Sequence, residues 1–146
     1  MVLIPTKIKV QLGIEQGTVY NFSPEKGIVN HYFIVLNKNP KKDDEIYLVS
    51  FTSNKDDVLR FIEHFDFDRK TYVEIETNEC PFLPRESESC INCNKTRRYD
   101  LQKLIDLIDG SDGSCYSKIS NKLMVRIIEG VKASKMVPED IKRVLC

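Results

Sequence analysis

The pattern of apolar and polar positions divides the chain into a strand-like first half and a helical last third. Ile8-Lys-Val-Gln-Leu12 alternates apolar with polar, which predicts a half-buried strand. Gly17 to Phe22 alternates again and stops at Ser23-Pro24, a turn signal. Tyr32 to Leu36 is an unbroken run of aromatic and branched residues, the composition of a central strand. Asn37 to Asp44 is polar and contains Pro40, and Glu45 to Thr52 is apolar again, so residues 31–52 read as a hairpin. The period then changes. Val58, Phe61, Ile62 and Phe65 share one face of a helix that Ser53 or Asn54 can cap, with Asp56 and Asp57 at the positive end of its dipole.

Thr71 to Ile75 returns to a period of two, Cys80 to Ser89 is loop-like, and Cys90 to Cys93 can form a short strand. Leu101, Leu104, Ile105 and Ile108 make one helical stripe, which Gly110-Ser-Asp-Gly113 ends. Ile119, Leu123, Ile127 and Val131 make a second stripe, and Pro138 opens a short final helix. The expected class is α+β: a mainly β unit, a small barrel or curled sheet, followed by helices. Residues 1–110 would form the barrel with its inserted and following helices, and residues 111–146 a helical extension of the same domain.

Composition narrows the function. The 146 residues fit one domain, and 41% hydrophobic with 30% charged residues is a globular composition. With 22 basic and 22 acidic side chains, net charge offers no sign of a nucleic-acid partner. Residues 1–80 carry 10 basic and 13 acidic groups, a balance of −3, whereas residues 81–146 carry 12 and 9, a balance of +3. No apolar run is long enough to span a bilayer, and the start lacks the order of a signal peptide, so a cytoplasmic protein is expected. Its five cysteines would then be reduced thiols.

Glycine-rich phosphate loops and hydrolase or metalloprotease motifs are missing from the sequence. Two histidines remain, and His64 falls on the polar side of its helix, as a solvated residue does. His31 opens the central strand, where an imidazole is either structural or placed for proton transfer. Thr52-Ser53 closes the partner strand. Those hydroxyls either cap the next helix or face His31 across the hairpin mouth, where they could hold a phosphate. Lys95-Thr-Arg-Arg98 is the densest basic cluster, and arginine is the better phosphate fork. Tyr20, Phe22 and Tyr32 are either core or stacking surfaces for unpaired bases. Cys90-Ile-Asn-Cys93 has the spacing of half a zinc knuckle, but its second pair would have to come from Cys80 and Cys115 at irregular spacing.

The order of these pieces resembles the MazF/PemK/Kid-type toxins of bacterial toxin–antitoxin systems. Residues 12–20, His31-Tyr-Phe-Ile-Val-Leu36, Ile46-Tyr-Leu-Val-Ser-Phe-Thr-Ser53 and Ser89-Cys-Ile-Asn-Cys-Asn94 with its following helix carry the likeness, over roughly residues 12–108. The resemblance implies an SH3-like barrel, a homodimer, an antitoxin partner, and metal-independent RNA cleavage in which the substrate's 2′-hydroxyl attacks the adjacent phosphate. Carried over by position, Thr52 and Ser53 match the family's hydroxyl pair, and His31-Tyr32 stands where the family has Arg-Pro. The expected catalytic set is therefore His31, Thr52 and Ser53, with Lys95, Arg97, Arg98 and Tyr32 binding RNA and no metal or other cofactor. The alternatives are a non-enzymatic SH3-like module that binds RNA or peptide, and a small zinc-stabilised protein.

Overall fold

The computed structural model describes residues 4–146. The chain opens with helix α1, Thr6–Gly13, where the alternation predicts a strand. The apolar residues at i, i+2 and i+4 serve a helix differently. Ile8 and Leu12 lie one turn apart and stay exposed, while Val10 points the other way and is buried. Pro5 occupies the N-cap position, and its carbonyl accepts from the amides of Ile8 and Lys9, both at 3.1 Å. Lys, Gln and Leu are good helix formers, so a five-residue alternation loses to local propensity and to docking on a neighbouring helix.

Strands β1 (Val19–Phe22), β2 (His31–Val35) and β3 (Ile46–Thr52) form an antiparallel meander. Helix α2 (Lys55–His64) follows, then β4 (Tyr72–Glu74), β5 (Cys90–Asn92) and β6 (Arg97–Tyr99). Helix α3 (Leu101–Gly110), strand β7 (Ser114–Tyr116), helix α4 (Asn121–Ala133) and helix α5 (Glu139–Arg143) complete the chain. The seven strands run in the order β4-β5-β3-β2-β1-β7, with β6 paired to β3. The class is α+β, with about 36% of the chain helical and 20% in strands. Helices are thus more abundant than the apolar pattern suggests, because α1 adds to the expected inserted and C-terminal helices.

Strand β3 organises the sheet. One of its edges pairs with β2; along the other, Ile46 to Leu48 pairs with β6 and Phe51-Thr52 pairs with β5. Its alternation serves both faces. Val49 and Phe51 join Ile34, Leu36 and the α4 stripe of Leu123, Ile127 and Val131 in the larger core. Ile46 and Leu48 join Phe33, Val35 and the α3 stripe in the other. Each fully buried aliphatic side chain of these stripes contributes about 1.5–3 kcal/mol. The segment 111–146, expected as an extension, is built into this body: β7 lines the outer edge of β1, and α4 covers one sheet face.

Two glycines make this closure possible. A Cβ at Gly113 would lie 2.2 Å from the carbonyl oxygen of Asn21, so β7 can leave α3 and reach β1 only with glycine there. A Cβ at Gly130 would lie 2.7 Å from both Cys93 Sγ and the Lys70 carbonyl, which lets α4 sit directly on the end of β5.

Candidate functional site

The site forms where the β2–β3 hairpin opens. The register pairs Phe33 with Ser50, and continuing it by two residues sets His31 across from Thr52, on the same sheet face. His31 is exposed and packs edge-on to Phe33, with ring centroids 6.4 Å apart. Thr52 is half-buried, and its Oγ1 accepts from the Asn54 amide at 3.4 Å, a local turn that starts α2. Ser53 is exposed beside it.

Two clefts meet at this pair. One, of about 340 Å³, is lined by His31, Tyr32, Thr52 and Ser53, with Asn30 and Arg85 on its rim. The loop from Leu83 to Ser89 forms its far wall, where buried Ser89 donates its hydroxyl to the Arg85 carbonyl at 2.7 Å. Tyr32 forms the apolar side, and its ring lies 5.6 Å from both Phe82 and Tyr116. Burial is the main cause that raises the Tyr32 hydroxyl above its ordinary pKa, followed by the neighbouring Tyr116 hydroxyl, so it stays neutral.

The second cleft, of about 300 Å³, lies between α2 and the sheet and shares His31 and Thr52 with the first. Phe61 walls it, Ser50 and Asn92 form its floor, and Lys95 stands at its edge, with Nζ 4.8 Å from the Phe61 ring centre. Asp57 also borders this cleft, but its carboxylate accepts from Asn54 Nδ2 and pairs with Arg60, which offsets its charge locally. Ser50 and Lys95 continue into a third cleft of about 550 Å³, where Arg97 and Arg98 line one side. Arg98 is partly committed, lying 3.6 Å from Glu45, 3.4 Å from Asp140 and over the Tyr47 ring.

His31, Tyr32, Thr52 and Ser53, predicted from distant parts of the sequence, therefore line one cleft. Lys95 borders the adjoining cleft, while Arg97 and Arg98 lie one cleft further away, so the basic cluster reaches the His31–Thr52 pair through Lys95 alone. Ser50, Phe61, Asn92, Asn30 and Arg85 were not anticipated. Phe61 reads as helix core, and a single serine inside Ile46–Thr52 reads as the solvent face of a strand.

The cysteines do not converge. Cys90 faces α2, Cys80 and Cys93 lie in the larger core, and Cys115 is exposed on the edge strand. Cys90 and Cys93 fall on opposite faces of β5, as three-residue spacing in a strand dictates. Among the described residues no three His, Cys, Asp or Glu side chains gather as metal ligands would. Burial pushes the thiols of Cys80 and Cys93 up to about 12 and that of Cys90 up to about 11, which makes all three poor nucleophiles and poor ligands. This arrangement gives the zinc-stabilised alternative no support.

The fold and site together define an α+β protein with an open groove that carries an imidazole, hydroxyls and a cationic rim. No helix among the described residues is long and apolar enough to cross a membrane. No protein-family model matches the chain, and no curated protein matches it.

Proposed function

We propose that the groove binds single-stranded RNA and that His31, Thr52 and Ser53 cleave it without a metal. The observation that carries this reading is that His31 and Thr52 both line the two clefts that meet at the hairpin mouth. A nucleotide backbone crossing that point has room for one residue on either side. His31 accepts the proton of a ribose 2′-hydroxyl as that oxygen attacks the adjacent phosphorus. The P–O5′ bond breaks, the leaving oxygen takes a proton from water, His31 returns its own proton to solvent, and the products are a 2′,3′-cyclic phosphate and a 5′-hydroxyl. The Thr52 and Ser53 hydroxyls donate to the phosphoryl oxygens as charge develops on them.

Lys95 and Arg85 stand at opposite ends of this path and neutralise flanking phosphates, while Arg97 and Arg98 extend the cationic track. The MazF/PemK/Kid resemblance adds a homodimer, an antitoxin that covers the groove, and a cytoplasmic site of action to the proposal. A neutral imidazole replaces a permanently charged arginine here, so electrostatic stabilisation falls to the hydroxyls and the rim.

The test is cleavage of a single-stranded RNA by wild type, His31→Ala and Thr52→Ala in the presence of EDTA. His31→Ala is expected to lose about 10²–10⁴-fold in rate, as removal of a general base does. Equal rates in all three proteins would remove the assignment. Binding by all three without cleavage by any would leave the non-enzymatic RNA-binding alternative.

A further inference from the structure

The floor of the second cleft carries a polar group whose orientation is fixed from behind. Asn92 is only 8% exposed, yet it borders that cleft. Its Oδ1 accepts from the backbone amide of Asn94 at 3.1 Å and from Asn94 Nδ2 at 3.0 Å. A backbone N–H can only donate, so the oxygen of the Asn92 amide must face Asn94 and its nitrogen must face the other way. Asn94 is oriented in turn: its Oδ1 accepts from the Ser134 hydroxyl at 2.7 Å, and Ser134 Oγ accepts from the Met136 amide at 3.1 Å.

Asn94 and Ser134 are themselves buried, at 3% and 1% exposure. This chain of bonds leaves one pair of N–H donors, on Asn92 Nδ2, with no acceptor among the described residues. The nitrogen is not among the buried polar atoms that lack a partner, so it meets solvent in the cleft that Asn92 lines, and an acceptor on an entering ligand takes the place of that water.

The surroundings state what fits. Continuing the β3–β5 register from Phe51 and Ile91 by one residue sets Ser50 beside Asn92, so a hydroxyl adjoins the amide. Phe61 gives an apolar wall, Lys95 a cation at the rim, and His31 with Thr52 lies at the near end. A volume of about 300 Å³ is ample for one flat heterocycle.

We propose that this cleft is a nucleobase-reading subsite, and that Asn92 selects a base presenting a carbonyl oxygen where cytosine and adenine present an amino group. The substrate class rests on the proposed RNA reading; the selectivity rests on the fixed direction of the Asn92 amide. Uracil is favoured over cytosine because O4 of uracil accepts, whereas N4 of cytosine donates toward a group that also donates. Guanine is favoured over adenine for the same reason at O6 against N6.

The experiment titrates ¹⁵N-labelled wild type and His31→Ala with uridine 3′-monophosphate and with cytidine 3′-monophosphate. In both proteins the uridine nucleotide is expected to bind roughly fivefold or more tightly, which is the worth of about one hydrogen bond. The side-chain amide resonances of Asn92 should move with uridine. Asn92→Asp keeps the acceptor for Asn94 and turns the donor into an acceptor, so its preference should shift toward cytidine. Equal affinities in the wild-type protein, or shifts that spare Asn92, would overturn the subsite whether or not Asn92→Asp folds. Because binding needs no turnover, selective binding by a protein that cleaves nothing would sink the nuclease reading alone. Cleavage without base preference would sink the subsite alone.

Discussion

The two ends of the β2–β3 hairpin carry one notable polar residue each and treat it in opposite ways. At the connecting end Asn37 is fully buried, and every part of its amide is used. Nδ2 donates to Asp43 Oδ2 and to the Glu45 carbonyl, both at 2.9 Å, and Oδ1 accepts from the Tyr47 amide at 2.8 Å. At the open end His31 is exposed between two clefts that Thr52 also lines, and the Thr52 hydroxyl is engaged only in a weak local turn. A polar group whose bonds all close inside the protein fixes the turn; one left facing a groove keeps its hydrogen bonds open to what enters it. Asn92 combines the two, with its oxygen closed inward and its nitrogen open.

The contrast can be broken most strongly at the closed end. Asn37→Ala strips the partners of a buried amide N–H and a buried carbonyl, and unfolding in urea should show a loss of about 2–4 kcal/mol. A loss below about 0.5 kcal/mol would mean that the turn does not depend on that amide.

The packed body offers a second test, through its thiols. The folded state holds Cys80, Cys90 and Cys93 protonated well above the ordinary thiol value of 9.0, to between about 11 and 12. Below pH 9 these groups are protonated in both states and cost nothing. Above it the unfolded chain releases protons that the folded chain retains, so stability falls as pH rises from about 9 toward 12. A urea midpoint that stays level over that range would contradict the burial.

In the native protein at neutral pH, a thiol reagent should label exposed Cys115 and Cys146 rapidly and the other three only on unfolding. Rapid labelling of more than two would show the core to be open.

The smallest effect belongs to the open end. His31→Ala should leave stability within about 0.5 kcal/mol of wild type, because the ring is exposed and supports little. A larger loss would make His31 a structural residue and weaken its proposed role in the groove.

Much of this arrangement was legible in the sequence because periodicity reports burial. The meander, α2, α3 and α4 follow from residues that alternate or repeat every turn, and the continuous run before Leu36 marks the strand that holds His31. The misses have identifiable physical origins. Residues 8–12 show a strand period, yet only Val10 among them is buried, and the docking of α1 on α3 includes the Thr6 hydroxyl donating to Asp109 at 2.5 Å, a contact 103 residues apart in sequence. Strand β6 is hidden because its first two residues are arginines, and the contacts that Arg98 makes with Tyr47, Glu45 and Asp140 leave no apolar alternation in the sequence. Strand β7 is three residues long and depends on the glycine before it. The His31–Thr52 pair could be anticipated once the hairpin was seen, whereas Asn92 could not. Its meaning lies in the direction of one amide, set by Asn94 and, through it, by Ser134 at the C-terminal end of α4.

The placement of β7 has a kinetic consequence. Residues 114–116 lie against residues 19–21, so the first strand gains its outer neighbour only after nearly a hundred intervening residues have been synthesised and arranged. Such long-separation pairing carries loop-closure entropy before any contact repays it. Refolding from denaturant should therefore be slow, on the order of milliseconds to seconds, with the β2–β3 turn gaining amide-exchange protection early and the β1–β7 edge last.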